Sequence, residues 1–414
     1  MIQKLIVLVL FSSVFVGEMH AQSVSELLIA RNTGSKILAN SDTIRVFGFA
    51  QDLLDNPNVP GPTIYANEGD SVHLDLWNVS QGAPHTIHLH GLDVDQQNDG
   101  VPHLSFEVGH MDHGFYHFKA PHAGTYLYHC HVVSSIHVQA GMYGLIIIKP
   151  SDGGSSTWNG GYAFDNDFSF LMSEIDTNWH TDSVLMHAHD TTMPMMPIAI
   201  PDFHPQFFLI NGFSDQQLAA EGIEFTAAVD EVNYVRLTNI GYCGTRVIFP
   251  AGLNAKIIDS DGRALPTEEI SDTIYIFPGE RYGVLSSAEV EFTDFIQFEY
   301  FNLNTLEVKN TQLVPVIIAG FAEIVSEEMN GIELSIVPNP FNDLAEIRFH
   351  LPKGQELSIS IFDVSGRSIT EIESMFYEAG NHVLPISQLV RGDGHYLVRL
   401  SSEGKSLTQK FVRY

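Results

Sequence analysis

The sequence predicts an all-β protein, built of β-sandwich or barrel domains in series with a small β-sandwich at the end. Three observations carry this. Runs such as "SVHLDLWNVS", "GTYLYHCHVV", "GLIIIKP", "YVRLTNIG", "DTIYIFPG" and "FIQFEYF" are rich in β-branched and aromatic residues and bounded by Gly, Pro, Asn and Asp. No long stretch has a convincing helical period. Connectors rich in Gly, Ser or acidic residues divide the chain into blocks of domain size.

In chain order, residues 1–21 read as a secretory signal peptide. Lys4 gives a positive start, Leu5 to Val16 an apolar core, and "MHA" a small-residue cleavage site. The apolar run is too short for a membrane span, and no later segment offers about 18 uninterrupted apolar residues. Residues 22–150 form a first β domain, and 151–161 ("SDGGSSTWNGG") a linker. Residues 162–320 form a second β domain, and 321–332 an acidic linker. Residues 333–414, with turns at short intervals, form the small sandwich.

Fifty acidic against twenty basic residues give a formal charge of −30. That surface disfavours nucleic acid and anionic lipid and attracts cations. Cys130 and Cys243 are the only cysteines. An exported chain is free to form disulfides, but a metal-bound Cys130 leaves no pair, and the fold then rests on its hydrophobic core.

The histidines are uneven: twelve of the 20 lie between His73 and His137, so the first domain is where chemistry is expected. In "HTIHLHG", His88 and His90 share one strand face, and His85 has the opposite parity. In "YHCH", His129 and His131 share a face and Cys130 points to the other. Pairing the two strands separates two donor sets. His85 and Cys130, joined by His137 and Met142 from the following loop, have the composition of a blue-copper electron-transfer site. His88, His90, His129 and His131 put four imidazoles on the other side, suited to copper ions that bind oxygen. Zinc is better served by four equivalent ligands in one tetrahedron. Cys130, between two imidazoles of the second set, reads as the bridge along which electrons pass.

These motifs resemble the multicopper oxidases, which are made of cupredoxin domains. "GPTIYANEGDSV", "HTIHLHG" and "YHCH…H…GM" are similar to the copper-binding domain, and "FFLINGF", "VNYVRLTNIG", "AKIIDSDGRALP" and "IYIFPGERYGVL" to a second cupredoxin-like domain without copper ligands. The resemblance implies two Greek-key cupredoxin domains with His85, Cys130, His137 and Met142 on type 1 copper. It likewise implies His88 on type 2 copper and His90, His129 and His131 on the type 3 pair. Asp99, in "NDGVP", matches a family carboxylate that assists proton delivery, and reads equally as a turn residue before Gly100.

Two departures stand out. Five residues, "VVSSI", separate HCH from the next histidine where the family commonly has three; a longer loop is found in copper nitrite reductases, which share the two-domain layout. A trinuclear cluster also draws half of its imidazoles from another domain, yet the second domain reads "NIGYCGTRVIF" where a liganding domain would have HxH. Either two first domains from different chains face each other in a homo-oligomer, or the second face holds fewer coppers. Cys243, at the degenerate position, reads as a small buried hydrophobe.

"LMHAHDTTMPMMP" (Met186, His187, His189, Met193, Met195, Met196) is either a soft Cu(I) site or a loop that packs its methionines on a neighbouring domain. His103, His110, His113, His117 and His122 have no family counterpart and read as a polar face, with some members buttressing the metal ligands. "VPNPF", "IFDVSGR", "GHYLVRL" and "QKFVRY" make the tail resemble the C-terminal sorting domain of type IX secretion.

The expectation is a secreted or cell-surface copper oxidase, exported through the periplasm, that takes electrons from a small reducing substrate or metal ion and reduces O2 to water. A nitrite reductase-like enzyme and a non-enzymatic copper-binding or electron-transfer protein are the alternatives. Implied partners are the type IX secretion machinery and a second copy of the chain.

Overall fold

The computed structural model describes residues 22–187, 200–320 and 331–413, the last range without 338, 340, 342–343, 364–367, 387–388, 391–393 and 403–404. The chain forms two compact units, Met1–Ile318 and Ala319–Tyr414.

The first part of unit one contains β1 (Ser23–Ile37), β2 (Thr43–Ala50), β3 (Ile64–Asn67), β4 (Ser71–Asn78), β5 (His88–His90), β6 (His113–Lys119), β7 (Gly124–His129) and β8 (Tyr143–Lys149). They form two four-stranded sheets, ordered β2-β1-β4-β6 and β3-β8-β7-β5. Both are mixed, since β1 runs parallel to β4 and β3 parallel to β8. β4 alternates buried Val72, Leu74 and Leu76 with half-exposed His73, Asp75 and Trp77, the period-two signature of a strand with one face on the core. β7 and β8 are buried on nearly every residue, so their sequences read as continuous apolar runs. Phe47, Phe49, Leu74, Ile87, Leu89, Tyr116, Tyr128 and Ile146 fill the core between the sheets.

The second part contains β9 (Asn166–Ile175), β10 (Phe207–Ile210), β11 (Phe225–Ala228), β12 (Asn233–Asn239), β13 (Gly244–Ile248), β14 (Lys256–Ser260), β15 (Arg263–Ile270), β16 (Thr273–Ile276), β17 (Arg281–Ser286), β18 (Phe292–Phe301) and β19 (Val308–Ala319). Its sheets are β10-β9-β12-β17-β14-β15 and β11-β19-β18-β13-β16. Phe170, Val235, Val247, Ile296, Phe298 and Val314 lie between them, with Cys243 buried among them as a small apolar side chain. Neither cysteine is in a disulfide.

Two buried arginines of the second part brace the first. Arg236 on β12 donates from Nε and Nη2 to both carboxylate oxygens of Asp167 (2.7 and 2.9 Å). From Nη1 it donates to Thr125 Oγ1 on β7 (2.9 Å). Arg281 on β17 donates from Nε to the Thr125 carbonyl (3.4 Å) and from Nη1 to the Gly279 carbonyl (2.7 Å), and pairs with Asp261 at 2.9 Å. A guanidinium offers five fixed donors, so each arginine ties several elements together.

Unit two has a three-stranded sheet of Glu333–Val337, Glu346–Leu351 and Gly380–Pro385. A four-stranded sheet of Ser368–Tyr377, Gln355–Asp363, Gly394–Ser402 and Lys405–Arg413 completes it. Ile347, Phe349, Leu357, Ile361, Val398 and Phe411 form its own core.

Candidate metal centre

β5 and β7 pair antiparallel at the edge of their sheet, with His88 opposite His129 and His90 opposite Leu127. His88, His90 and His129 therefore gather on one face, and their ligand atoms lie within 4.8 Å of one another. His131, just past β7, joins them: its ring centroid is 5.2 Å from that of His88 and 5.9 Å from that of His129.

Their tautomers follow from the partners. His88 Nδ1 lies 2.8 Å from the Asp99 carbonyl and His129 Nδ1 3.1 Å from the Cys130 carbonyl. A carbonyl only accepts, so both Nδ1 atoms carry the proton and both Nε2 atoms keep a lone pair for a metal. Burial lowers His129 to about 3. It also lowers His90, to about 4, with the Arg281 guanidinium as the second cause. Burial again lowers His88. Neutral imidazoles are what a metal requires.

On the other side of the same strands lie His85, Cys130 and His137, all fully buried. Cys130 Sγ is 3.2 Å from His137 Nδ1 and 3.6 Å from His85 Nδ1. One ion at the usual metal–sulfur and metal–nitrogen lengths, about 2.3 and 2.0 Å, sets its sulfur and nitrogen ligands roughly 3.5–3.7 Å apart. The donor set thus fits a single soft cation with only small adjustment. Burial pushes the Cys130 thiol up to about 11, so a cation is needed for it to stand as thiolate at neutral pH. Met142 is fully buried beside this group, and its carbonyl accepts from the Cys130 amide at 3.0 Å.

The separation of the two sets has a different origin from simple strand parity. β5 covers only His88–His90, and His85 stands outside it in an isolated bridge with Val108, with hydrogen bonds of 3.0 and 2.9 Å. Nor does His137 sit in a loop. The spacer "VVSSI" enters a short helix, α1 (Ser134–Gln139), through Val133 in the left-handed region (φ 44°), and α1 turns His137 inward.

The second part holds α1 in place. Gln139 Nε2 donates to the Glu174 carbonyl (3.1 Å), Gln139 Oε1 accepts from the Asp176 amide (2.9 Å), and the Tyr242 hydroxyl donates to the Ser135 carbonyl. Sequence reasoning missed these contacts and also Arg281, which lies against the other set. A Cβ at Gly91 would sit 2.0 Å from Arg281 Nη2, and Gly91 has φ +85°. A charged residue opening the otherwise apolar strand "RYGVLS" was the available signal.

Asp99 meets His88 chiefly through its main chain; its carboxylate Oδ1 is 3.6 Å from His88 Nδ1. Gly100 follows at φ +77°, packed so closely that a Cβ would lie 1.9 Å from the Ile87 carbonyl oxygen. Of the remaining histidines of the first part, His110 pairs with the Ser80 carbonyl, His113 with Asp75, His122 with Asp93 and His117 with His73, and His103 stands in a turn at φ 70°. In the Met/His stretch, Leu185 is buried and Met186 exposed, and His189, Met193, Met195 and Met196 lie outside the described residues.

Comparison with known proteins gives three family matches along the chain. Residues 48–153 and 176–313 each match a family model described as multicopper oxidase, and 335–413 one described as a secretion system C-terminal sorting domain. An L-ascorbate oxidase of Nicotiana tabacum is 25% identical over 58% of this chain and 43% of its own length. A copper-containing nitrite reductase of Alcaligenes xylosoxydans is 29% identical over 44% of this chain and 55% of its own. The chain spans about half the length of these curated relatives. Among solved structures, a blue copper oxidase from Nitrosomonas europaea superposes with a TM-score of 0.56 at 24% identity, over 72% of this chain and 86% of that one. A copper nitrite reductase from the same organism gives 0.54 at 19% identity, over 72% and 94%. These likenesses establish a cupredoxin-like fold. With two such domains in tandem ahead of a sorting domain, the chain belongs to the multicopper oxidase family.

Proposed function

We propose that the chain is an exported copper oxidase that takes electrons from a reducing substrate and delivers them to O2. The observation that carries this is the pair of donor sets meeting at one residue. Cys130 contributes its thiol to one set, and its peptide neighbours His129 and His131 belong to the other. His85, Cys130, His137 and Met142 would hold type 1 copper, and His88, His90, His129 and His131 the oxygen-reducing copper. Copper bound there would supply one-electron redox chemistry, with four electrons from the substrate and four protons from solvent needed to take O2 to water.

The rest is done by the chain itself. The peptide units around Cys130 give a covalent path between the two sets. The Asp99 carbonyl holds the His88 ring, and the partly exposed Asp99 carboxylate, with Oδ1 3.6 Å from His88 Nδ1, would assist proton delivery. The imidazoles of one first domain cover half a trinuclear cluster, and we assign the other half to a second copy, which makes the active form a homo-oligomer. A formal charge of −30 favours a reducing metal ion as substrate over an anionic one. The sorting domain supports export through the periplasm to the surface or medium by the type IX machinery.

The test is oxygen consumption by the copper-loaded chain with Fe(II), Cu(I) and phenols as donors. Consumption that ceases in Cys130→Ser supports the oxidase. The two-domain layout and the five-residue spacer favour a second reading, nitrite reduction; nitrite turnover without oxygen uptake would establish it in place of the first. A blue protein with turnover of neither acceptor would leave only electron transfer or copper binding.

A further inference from the structure

A second group of histidines lies on the outer face of the β2-β1-β4-β6 sheet, apart from the centre described above. β4 and the edge strand β6 pair with His73 opposite His117, Asp75 opposite Phe115 and Trp77 opposite His113. All six side chains point outward, alternating with buried Leu74, Leu76, Tyr116 and Phe118. His73 Nδ1 and His117 Nδ1 converge to 2.6 Å, with ring centroids 4.7 Å apart.

The rings are set in a row. Trp77 lies parallel to His113 (5.3 Å, 11°), His113 to Phe115 (6.1 Å, 15°) and Phe115 to His117 (6.4 Å, 7°). The His117 amide is tied to Asn98 Oδ1 at 2.7 Å. His113 Nδ1 is held by Asp75 Oδ1 at 2.8 Å, so it is engaged beside the pair and not with it.

The geometry points to a surface site for a divalent transition-metal ion, copper(II) before zinc(II), chelated by His73 and His117. Directly opposed strand residues lie close enough to share one ion. Two imidazole nitrogens at about 2.0–2.1 Å from an ion and at right angles to each other are about 2.9 Å apart. Opening the pair from 2.6 Å to that spacing needs only a small turn of each exposed ring. Without an ion, one imidazole has to donate a proton to the other. With one, both lone pairs are used. Two imidazoles with water in the remaining positions suit the tetragonal preference of copper(II), and copper(II) outranks zinc(II) at a given nitrogen site. The chain's large negative charge raises the local concentration of any cation.

The test compares the full chain with a His73→Asn/His117→Asn variant, both first loaded with copper and then dialysed against a chelator to clear ions held at the exposed surface. Each is then titrated calorimetrically with copper(II) and with zinc(II), and the copper samples are examined by EPR. The expected result is one further equivalent in the parent, with nitrogen hyperfine structure, that is missing from the variant while the unfolding midpoint is unchanged. A His113→Asn variant should keep that equivalent. Equal uptake by the parent and the double variant, or no further uptake by the parent, overturns the proposal. If the double variant shifts the midpoint, His73→Gln and His117→Gln, tested singly, decide: each has to lower the uptake.

Discussion

Removing the Asp167 carboxylate tests how the second part of unit one supports the metal centre from outside the two donor sets. The Arg236 side chain is 1% exposed, and its charge is met by Asp167 through two hydrogen bonds, with the Tyr234 ring 4.3 Å away. Breaking a buried pair from one side costs about 3–5 kcal/mol, because the remaining charge is left uncompensated. Asp167 is itself 24% exposed, so water partly replaces it, and the lower end, about 3 kcal/mol, is expected. At about 2.1 cal/mol/K of unfolding entropy per residue, a unit spanning Met1–Ile318 shifts by roughly 1.5 °C per kcal/mol, so Asp167→Ala should lower the midpoint by about 4–5 °C. The assay is thermal unfolding of copper-free protein followed by tryptophan fluorescence. Arg236→Met/Asp167→Ala is the control: with the buried guanidinium gone, and Asp259 still held by the Tyr234 hydroxyl, it should recover most of the loss. Arg236 also holds Thr125 on the strand that carries His129, so Asp167→Ala should release copper more readily to a chelator. A loss under about 1 kcal/mol, or a double variant no more stable than the single, would refute the reasoning.

Cys130→Ser should abolish the blue absorption and leave the fold intact, since it exchanges one small buried side chain for another; a persistent blue band would sink the thiolate assignment. Glu174 is buried, and burial pushes its carboxyl from 4.5 to about 7 against hydrogen bonds from the Tyr242 and Cys243 amides. The folded state therefore keeps a proton that the unfolded chain has lost between those values, and stability falls as pH rises through that window. Glu174→Gln removes this loss, so its stability relative to the parent should climb from pH 4.5 to about 7 and stay level outside it; parallel denaturation curves would contradict this. Gly100→Ala has to strain a backbone at φ +77° and push on the Ile87 carbonyl. It should cost roughly 1–3 kcal/mol from the backbone conformation alone and loosen the Asp99 hold on His88; an unchanged unfolding midpoint would show the loop to be plastic.

Much of the centre was legible because a strand's period is short and its ligands are rare residue types. HxH and HCH place four imidazoles on one face once two strands are paired, and β5 and β7 do pair with His88 opposite His129. Less legible was what breaks that regularity. His85 reaches the thiol from a bridge outside the strand, and the end of the spacer runs with His137 into α1, whose six residues are too few to show a period. Support across the unit was not legible at all. Arg236, Arg281 and Gln139 act on residues more than thirty positions away, and nothing local in "YVRLTN" or "ERYG" says which strand they meet. The sequence points to Asp99 through its carboxylate, yet the shorter contact is made by its carbonyl, a group every residue has.

Copper content per chain, measured with absorption and EPR on one purified sample, tests the central claim most directly. Two separate donor sets joined at Cys130 predict a blue band, more than one copper per chain, and an EPR-silent fraction from coupled ions among His88, His90, His129 and His131. One copper or fewer per chain, all of it EPR-visible, would contradict the account and leave the four imidazoles without an oxygen-reducing role.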